Sequence, residues 1–213
     1  MSNIDFQNGF ALGVASKGQA QSVAPNPLEY AVSVANVYQK VSFPTDYNLI
    51  LALPNCTTFT YVCYQSTGLK TITFKDLSEN SNMFFGYAFR DCKTTEIVDL
   101  ENKTIKIGYG IDTFRGMTSL KEINGTLDLT EITNVNNMFE GCGALETVRF
   151  KENSIKLSIS FAKCPLLSSD TVQSIVDGLA TVETTQTLTL NSAVSVSDTQ
   201  KATIQSKGWT LVQ

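Results

Sequence analysis

Large apolar residues recur along the middle of the chain at a long, nearly fixed interval. The segments Ala88-Phe89-Arg90-Asp91-Cys92, Thr113-Phe114-Arg115-Gly116-Met117, Met138-Phe139-Glu140-Gly141-Cys142 and Ser160-Phe161-Ala162-Lys163-Cys164 align, and their phenylalanines fall 25, 25 and 22 residues apart. Six positions after each Phe stands Leu120, Leu145 or Leu167, with Thr95 the exception; nine after it stands Val98, Ile123 or Val148, and eleven after it Leu100 or Phe150. A degenerate earlier copy runs from Cys63 to Phe74. Phe, Cys or Met, and Leu at i, i+3 and i+6 predict about two tight helical turns with one apolar face. The following Leu, Val or Ile, and Leu or Phe predict a short strand. A turn such as Lys151-Glu152-Asn153-Ser154 then leads to a second apolar pair, Ile155 and Leu157, whose counterpart one copy earlier is Lys103–Ile107. The second copy carries two additional residues, Asn124-Gly125, which predict a bulge in one rung. Neither piece can bury its face alone, so the copies are expected to stack into a solenoid around one continuous core.

The ends follow other patterns. Leu28–Tyr38 alternates apolar and polar positions and predicts a strand, as does Tyr47–Leu53. Beyond residue 168, Ser168-Ser169-Asp170 supplies a cap for a helix over Thr171–Leu179, Thr187–Leu190 alternates as a strand, Ser195–Asp198 caps a second helix ending at Lys207-Gly208, and Trp209–Val212 closes as a strand. This order, helix-strand-helix-strand, is expected to continue the stack and seal its open end. The first 20 residues are small and Gly-rich, with Ile4, Phe6, Phe10 and Leu12 spaced among them and no charge between Asp5 and Lys17. Too few contacts are available there to offset backbone entropy in water, so these four side chains are expected to dock against another copy or another protein.

The stretches AFRDCKTTEIVDL, TFRGMTSLKEI, MFEGCGALETVRF and SFAKCPLL share the pattern AFxxCxxLxxI. They resemble the BspA-type bacterial leucine-rich repeat over roughly residues 60–167. That resemblance implies a curved, right-handed stack that presents a sheet for binding. It does not imply catalysis and names no ligand. The opening IDFQNGFALG and the C-terminal segment LTLxSA…SDxQKATIxSKGWTL are similar to parts of structural, tail-associated proteins of phages and prophages.

Composition narrows the chemistry. The 213 residues include no histidine, which removes Ser-His-Asp and Cys-His catalysis and the His-bearing zinc and iron sites. Five cysteines without a CxxC pair exclude a zinc ribbon, and no metal or other cofactor is expected. In the repeat register, Met117 occupies the place of Cys92, Cys142 and Cys164, so that position reads as core and not as disulfide or ligand. Cys56 and Cys63 are expected to be buried thiols as well. A net charge of −4 argues against nucleic acid, and the sequence shows neither an export leader nor an apolar run of membrane-spanning length, so membrane insertion is not expected. The sequons at Asn55, Asn102 and Asn124 are given no role on the same ground. Gly108-Tyr109-Gly110 reads as a turn, not a phosphate-binding loop. Carboxylates are the remaining catalytic candidates: Asp99, Glu101, Glu122 and Glu146 lie on or beside the strand rungs, and solvated charges on an open face are the favoured reading.

The sequence thus predicts an α+β, β-rich fold: a leucine-rich-repeat solenoid of short strands and short helical turns over residues 45–167, an N-terminal docking module over 1–44 and a C-terminal cap over 168–213. The repeat core is assigned to Phe89, Cys92, Phe114, Met117, Leu120, Phe139, Cys142, Leu145, Phe161 and Cys164, with the binding face along the strands at 70–75, 96–101, 121–129 and 146–151. The expected function is a non-enzymatic virion structural or adhesion component (tail, fibre or capsid decoration). Its partners would be other virion proteins or copies of itself, with a host-surface protein or glycan as a further target. A bacterial cell-surface adhesin or interaction module is the alternative, and a polysaccharide-cleaving enzyme the third reading.

Overall fold

The computed structural model describes residues 35–213; the docking residues Ile4, Phe6, Phe10 and Leu12 lie outside them. The described chain is a β-rich repeat fold. Strands β1 (Ser42–Ala52), β2 (Thr67–Lys75), β3 (Met83–Phe84), β4 (Ile97–Tyr109), β5 (Glu122–Asp128) and β6 (Thr147–Phe150) form one sheet in the order β1-β2-β4-β5-β6, with β3 also paired to β4. Strands β7 (Ile159–Phe161), β8 (Gln186–Leu190) and β9 (Trp209–Val212) form a second sheet. Every pairing is parallel. Two helices, α1 (Ser169–Gly178) and α2 (Asp198–Ser206), complete the described residues.

The register follows the sequence period. Leu49 pairs with Ile72, Ile72 with Val98 and Val98 with Ile123, and Val148 on β6 extends this inward-facing aliphatic column. Each of the five is about 1% exposed or less. Beside them, Phe89, Phe114, Phe139 and Phe161 stack ring on ring, with centroids 5.7, 5.5 and 4.8 Å apart and interplanar angles of 22°, 15° and 21°. Consecutive rungs of a parallel ladder lie about 4.8 Å apart, so one residue type repeated per rung places its rings at stacking distance.

The Phe-x-x-Cys segments are not helical, and this corrects the expectation of tight helical turns. The first three are ribbons of turns in which backbone amides alternate between two kinds of partner, whereas in the fourth Phe161 ends strand β7. In one rung the N–H groups of Ala88, Arg90 and Cys92 donate to the carbonyls of Phe85, Tyr87 and Phe89, three residues back. The intervening N–H groups of Phe85, Tyr87, Phe89 and Asp91 donate to Tyr109, Ile111, Thr113 and Arg115 in the next rung. A helix would consume all of these donors internally and leave the rungs unjoined. Left-handed residues break the helix two positions before and two after Phe89, Phe114 and Phe139: Tyr87 and Asp91 (φ 59° and 60°), Asp112 and Gly116, Asn137 and Gly141.

The same hydrogen-bond pattern recurs earlier in the chain. Cys63 donates to Ala88, Tyr38 donates to Val62, and the left-handed pairs are Tyr61 and Gln65, and Asn36 and Lys40. The stack therefore reaches back to Asn36, inside the segment that the sequence assigned to the N-terminal module. Ala35–Lys40 is a turn and not the end of a strand, because Tyr38 takes the place that phenylalanine holds in later rungs.

The bulge expected at Asn124-Gly125 is present, and the turn expected at Gly108-Tyr109-Gly110 is corrected. Asn124-Gly125 is an insertion relative to β6, where β5 sets Ile123–Gly125 against Val148 alone; β4 carries a larger one, setting Leu100–Lys103 against Gly125 alone. Glu101 and Asn102, both left-handed, turn that corner. Gly108 and Tyr109 end β4 instead of forming a turn, and Gly110 N–H donates onward to Asn134.

After Phe150 the scheme changes. Helix α1 packs on β6, and its Thr171 Oγ1 and Ser174 Oγ accept hydrogen bonds from the N–H groups of Val148 and Phe150. Ser168 caps α1, and Ser197 with Gln200 forms a capping box on α2. Lys207 Nζ donates to the carbonyls of Val176, Asp177 and Leu179, satisfying acceptors that the C-terminal end of α1 leaves open.

Candidate interaction surface

The residues assigned to the repeat core all lie inside. Phe89, Cys92, Phe114, Met117, Leu120, Phe139, Cys142, Leu145, Phe161 and Cys164 are at most 2% exposed. All five cysteines are buried thiols. The column holding Cys92, Cys142 and Cys164 does more than fill space. Cys92 Sγ donates to Cys63 O at 2.7 Å, Cys142 Sγ to Phe114 O at 3.0 Å and Cys164 Sγ to Phe139 O at 3.5 Å, while Ser66 Oγ reaches Tyr38 O in the first rung. A small, weakly polar donor thus binds the carbonyl of the preceding rung, and the exchange of Ser for Cys at position 66 is the sequence signal for it. Burial pushes the Cys92 and Cys164 thiols up to about 12. Buried apolar thiols of this kind are poor nucleophiles and poor metal ligands.

The structure gives the four carboxylates different surroundings. Asp99 lies opposite Asn124, whose Nδ2 donates to its Oδ1 at 2.9 Å. Glu122 pairs in register with Ile97 and Thr147. Glu101 is engaged by Lys103 at 3.1 Å; burial raises its carboxyl, but the bonds from Lys103 and the Asp76 N–H outweigh that and hold it below the usual range. Glu146 belongs to a column of alternating charge, Lys70, Glu96, Lys121 and Glu146, joined by the backbone bonds Glu96 N to Lys70 O, Lys121 N to Glu96 O and Glu146 N to Lys121 O. Within it Lys121 bonds Glu96 at 2.9 Å, which lowers the Glu96 carboxyl and raises the Lys121 ammonium. Among the described residues no group of three or more His, Cys, Asp or Glu side chains could hold a metal ion.

A different surface stands out, on the turn ribbon and not on the strands. Tyr61 and Tyr87 occupy the same position in successive rungs, stacked at 4.7 Å and 5°. Tyr64 meets Tyr61 edge-on at 5.4 Å, and the Arg90 guanidinium lies 5.8 Å from the ring centres of both Tyr64 and Tyr87. Tyr109 lies against Gly86, where an added Cβ would meet its ring at 2.8 Å, and the neighbouring Phe84, 46% exposed, pairs in register with it. None of the hydroxyls of Tyr61, Tyr64, Tyr87 and Tyr109 is hydrogen-bonded within the described residues. Farther along the strip the polar groups satisfy each other: Asp112 takes Arg90 at 2.8 Å, Arg115 at 3.1 Å and Asn137 at 3.0 Å.

The tyrosines stand where the fold disfavours them. Tyr61 and Tyr87 are left-handed at φ 56° and 59°, a conformation that costs a bulky L-residue roughly 1–2 kcal/mol. Later rungs fill this column with Asp112 and Asn137, residue types that tolerate it. The sequence analysis missed this strip because the copies it aligned begin at Cys63 and Ala88, which leaves Tyr61 and Tyr87 just outside them.

No curated protein and no solved structure matches this chain. Residues 82–181 match the family model described as BspA type leucine rich repeat region, in six copies.

Proposed function

We propose that the chain is a non-enzymatic interaction or adhesion protein: a solenoid, closed at its far end by the α1–β9 block, that holds the Tyr61–Tyr64–Tyr87–Arg90 strip rigid for a protein partner. The observation that supports this most is the pair of strained, stacked and half-buried tyrosines, since residues that break a local rule without serving the core mark functional positions. Tyrosine and arginine dominate protein-binding hot spots, and rings ordered before binding lose little entropy on contact. Substituting Asn for Tyr87 tests the reading. Asn suits the left-handed backbone, so Tyr87→Asn should unfold within about 1 kcal/mol of the parent while losing partner capture, because the stacking it forfeits and the strain it relieves are of similar size. Thr73→Ala on the strand face should retain capture. Capture lost only with the strand-face variant would return the binding face to the sheet.

A finer reading is that this protein is a virion component, assembled in the bacterial cytoplasm, with the N-terminal segment carrying Ile4, Phe6, Phe10 and Leu12 as its anchor to other virion proteins or other copies. It rests on the similarity of the two ends to phage tail-associated proteins. The alternative, a bacterial cell-surface adhesin, places the same strip against a host protein or glycan. Deleting residues 2–17 separates the two: a virion component should keep its repeat fold and fail to enter particles.

A further inference from the structure

A second site lies away from the tyrosine strip, at the edge strand. Strand β1 pairs Ser42 with Thr67 and Tyr47 with Leu69, so Phe43–Asp46 bulges outward opposite Gly68 alone. Glycine is required there: its φ is +80°, and an added Cβ would lie 2.1 Å from the Phe43 carbonyl oxygen. Beside the bulge opens a cavity of about 300 Å³, lined among others by Phe43, Thr45, Asp46, Gly68, Lys70 and Thr94. We propose that this cavity binds one neutral sugar ring of a glycan.

Its volume is at the lower end for small-molecule sites, enough for a single ring. Its charges balance. Asp46 and Lys70 line the same opening, yet neither forms an ion pair within the described residues. In its own column Lys70 stands next to Glu96, which bonds Lys121 instead. An acceptor and a donor that line one opening without bonding each other suit a ligand carrying several hydroxyls along one edge. The Thr45 hydroxyl, which bonds nothing within the described residues, adds a group that both donates and accepts. Phe43, 8% exposed and stacked on Tyr47 at 5.1 Å and 26°, contributes only a fixed apolar edge to the lining. A phosphate or other polyanion would meet one cation and one carboxylate, and is disfavoured.

The test uses the full chain and a panel of methyl glycosides of neutral hexoses, followed by amide chemical shifts. Saturable shifts at Gly68, Lys70 and Thr94 are expected for at least one member. Asp46→Ala should weaken that binding about tenfold, the worth of one hydrogen bond to a charged group. Lys70→Ala provides an independent variant should Asp46→Ala fail to fold. Tyr87→Asn should leave the affinity unchanged, which separates this site from the protein-binding strip: either can fail while the other stands. No shifts with any hexose, shifts confined to other residues, or binding of a zwitterionic amino acid without binding of any hexose would each overturn the proposal.

Discussion

Strands β5 and β6 face the same core and carry the same column of aliphatic residues, Ile123 and Val148, but they pass on their backbone groups differently. Strand β5 is joined to β6 main chain to main chain. Strand β6 instead gives two of its N–H groups to hydroxyls on α1, Thr171 and Ser174. Beyond β6 the main-chain ladder of the first sheet ends, while the phenylalanine stack runs on to Phe161. An exposed strand edge invites further pairing, and covering it with a helix whose side chains replace the missing carbonyls removes that invitation. The comparison shows that continuing and terminating the repeat need almost the same core and differ in a few hydroxyls.

Single substitutions can sharpen this contrast. The largest effect is expected in the stack itself. Phe139 is fully buried and touches Phe114, Phe150 and Phe161, so Phe139→Ala should cost about 3–5 kcal/mol in denaturant unfolding. Phe114→Ala belongs in the same range.

Next come two threonines that carry the same hydroxyl into opposite circumstances. Thr171 Oγ1 accepts from Val148 N–H and donates to Glu146 O at 2.8 Å. Thr171→Val leaves the buried Val148 N–H without its hydroxyl partner, while Glu146 O keeps the Ser168 N–H, and should destabilise by about 1–3 kcal/mol. Thr95 stands in the column of Leu69, Leu120 and Leu145, fully buried, with no partner for its Oγ1. Thr95→Val should therefore stabilise by about 1 kcal/mol. Equal signs for the two substitutions would break the distinction between a hydroxyl that ends the sheet and one that merely occupies a core position.

The smallest effect is on pH dependence. Asp128, 3% exposed, ends β5 next to the junction. Burial raises its carboxyl, but Lys151 Nζ at 2.7 Å and the Thr130 N–H at 2.9 Å outweigh that and hold it below the usual range. A carboxylate depressed in the folded state contributes stability above its ordinary pKa, and that contribution is lost as pH falls through the depressed value. Lys151→Met should reduce stability near neutrality and flatten the acid limb of a stability-against-pH curve; an unchanged limb would show that the pair contributes nothing.

What the sequence revealed, and what it hid, follows the same division. The buried columns were legible because one side-chain type repeats per rung: Phe89 to Phe161 and Val98 to Val148 declare both the period and the inward face. The α1–β9 block was legible from its caps, Ser168, Ser197 and Gly208. The turn ribbon was misread as helix because apolar spacings of three suit both, and the deciding feature, a left-handed residue on either side of Phe89, Phe114 and Phe139, falls in part on Tyr87, Asp91 and Asp112, which do not signal it as glycine would. The first rung escaped because Tyr38 replaces Phe and only the backbone bonds expose the equivalence. The tyrosine strip escaped because Tyr61 and Tyr87 stand just ahead of the aligned segments that begin at Cys63 and Ala88.

That register is the central claim, and native-state amide exchange tests it most directly. If the stack runs without a break from Asn36, the N–H groups of Tyr38, Cys63, Phe89 and Phe114, each bonded to the following rung, should be protected together and open with one common free energy. Rapid exchange at Tyr38 and Cys63 beside strong protection at Phe89 and Phe114 would contradict it, and would confine the repeat to the part of the chain where phenylalanine marks the rungs.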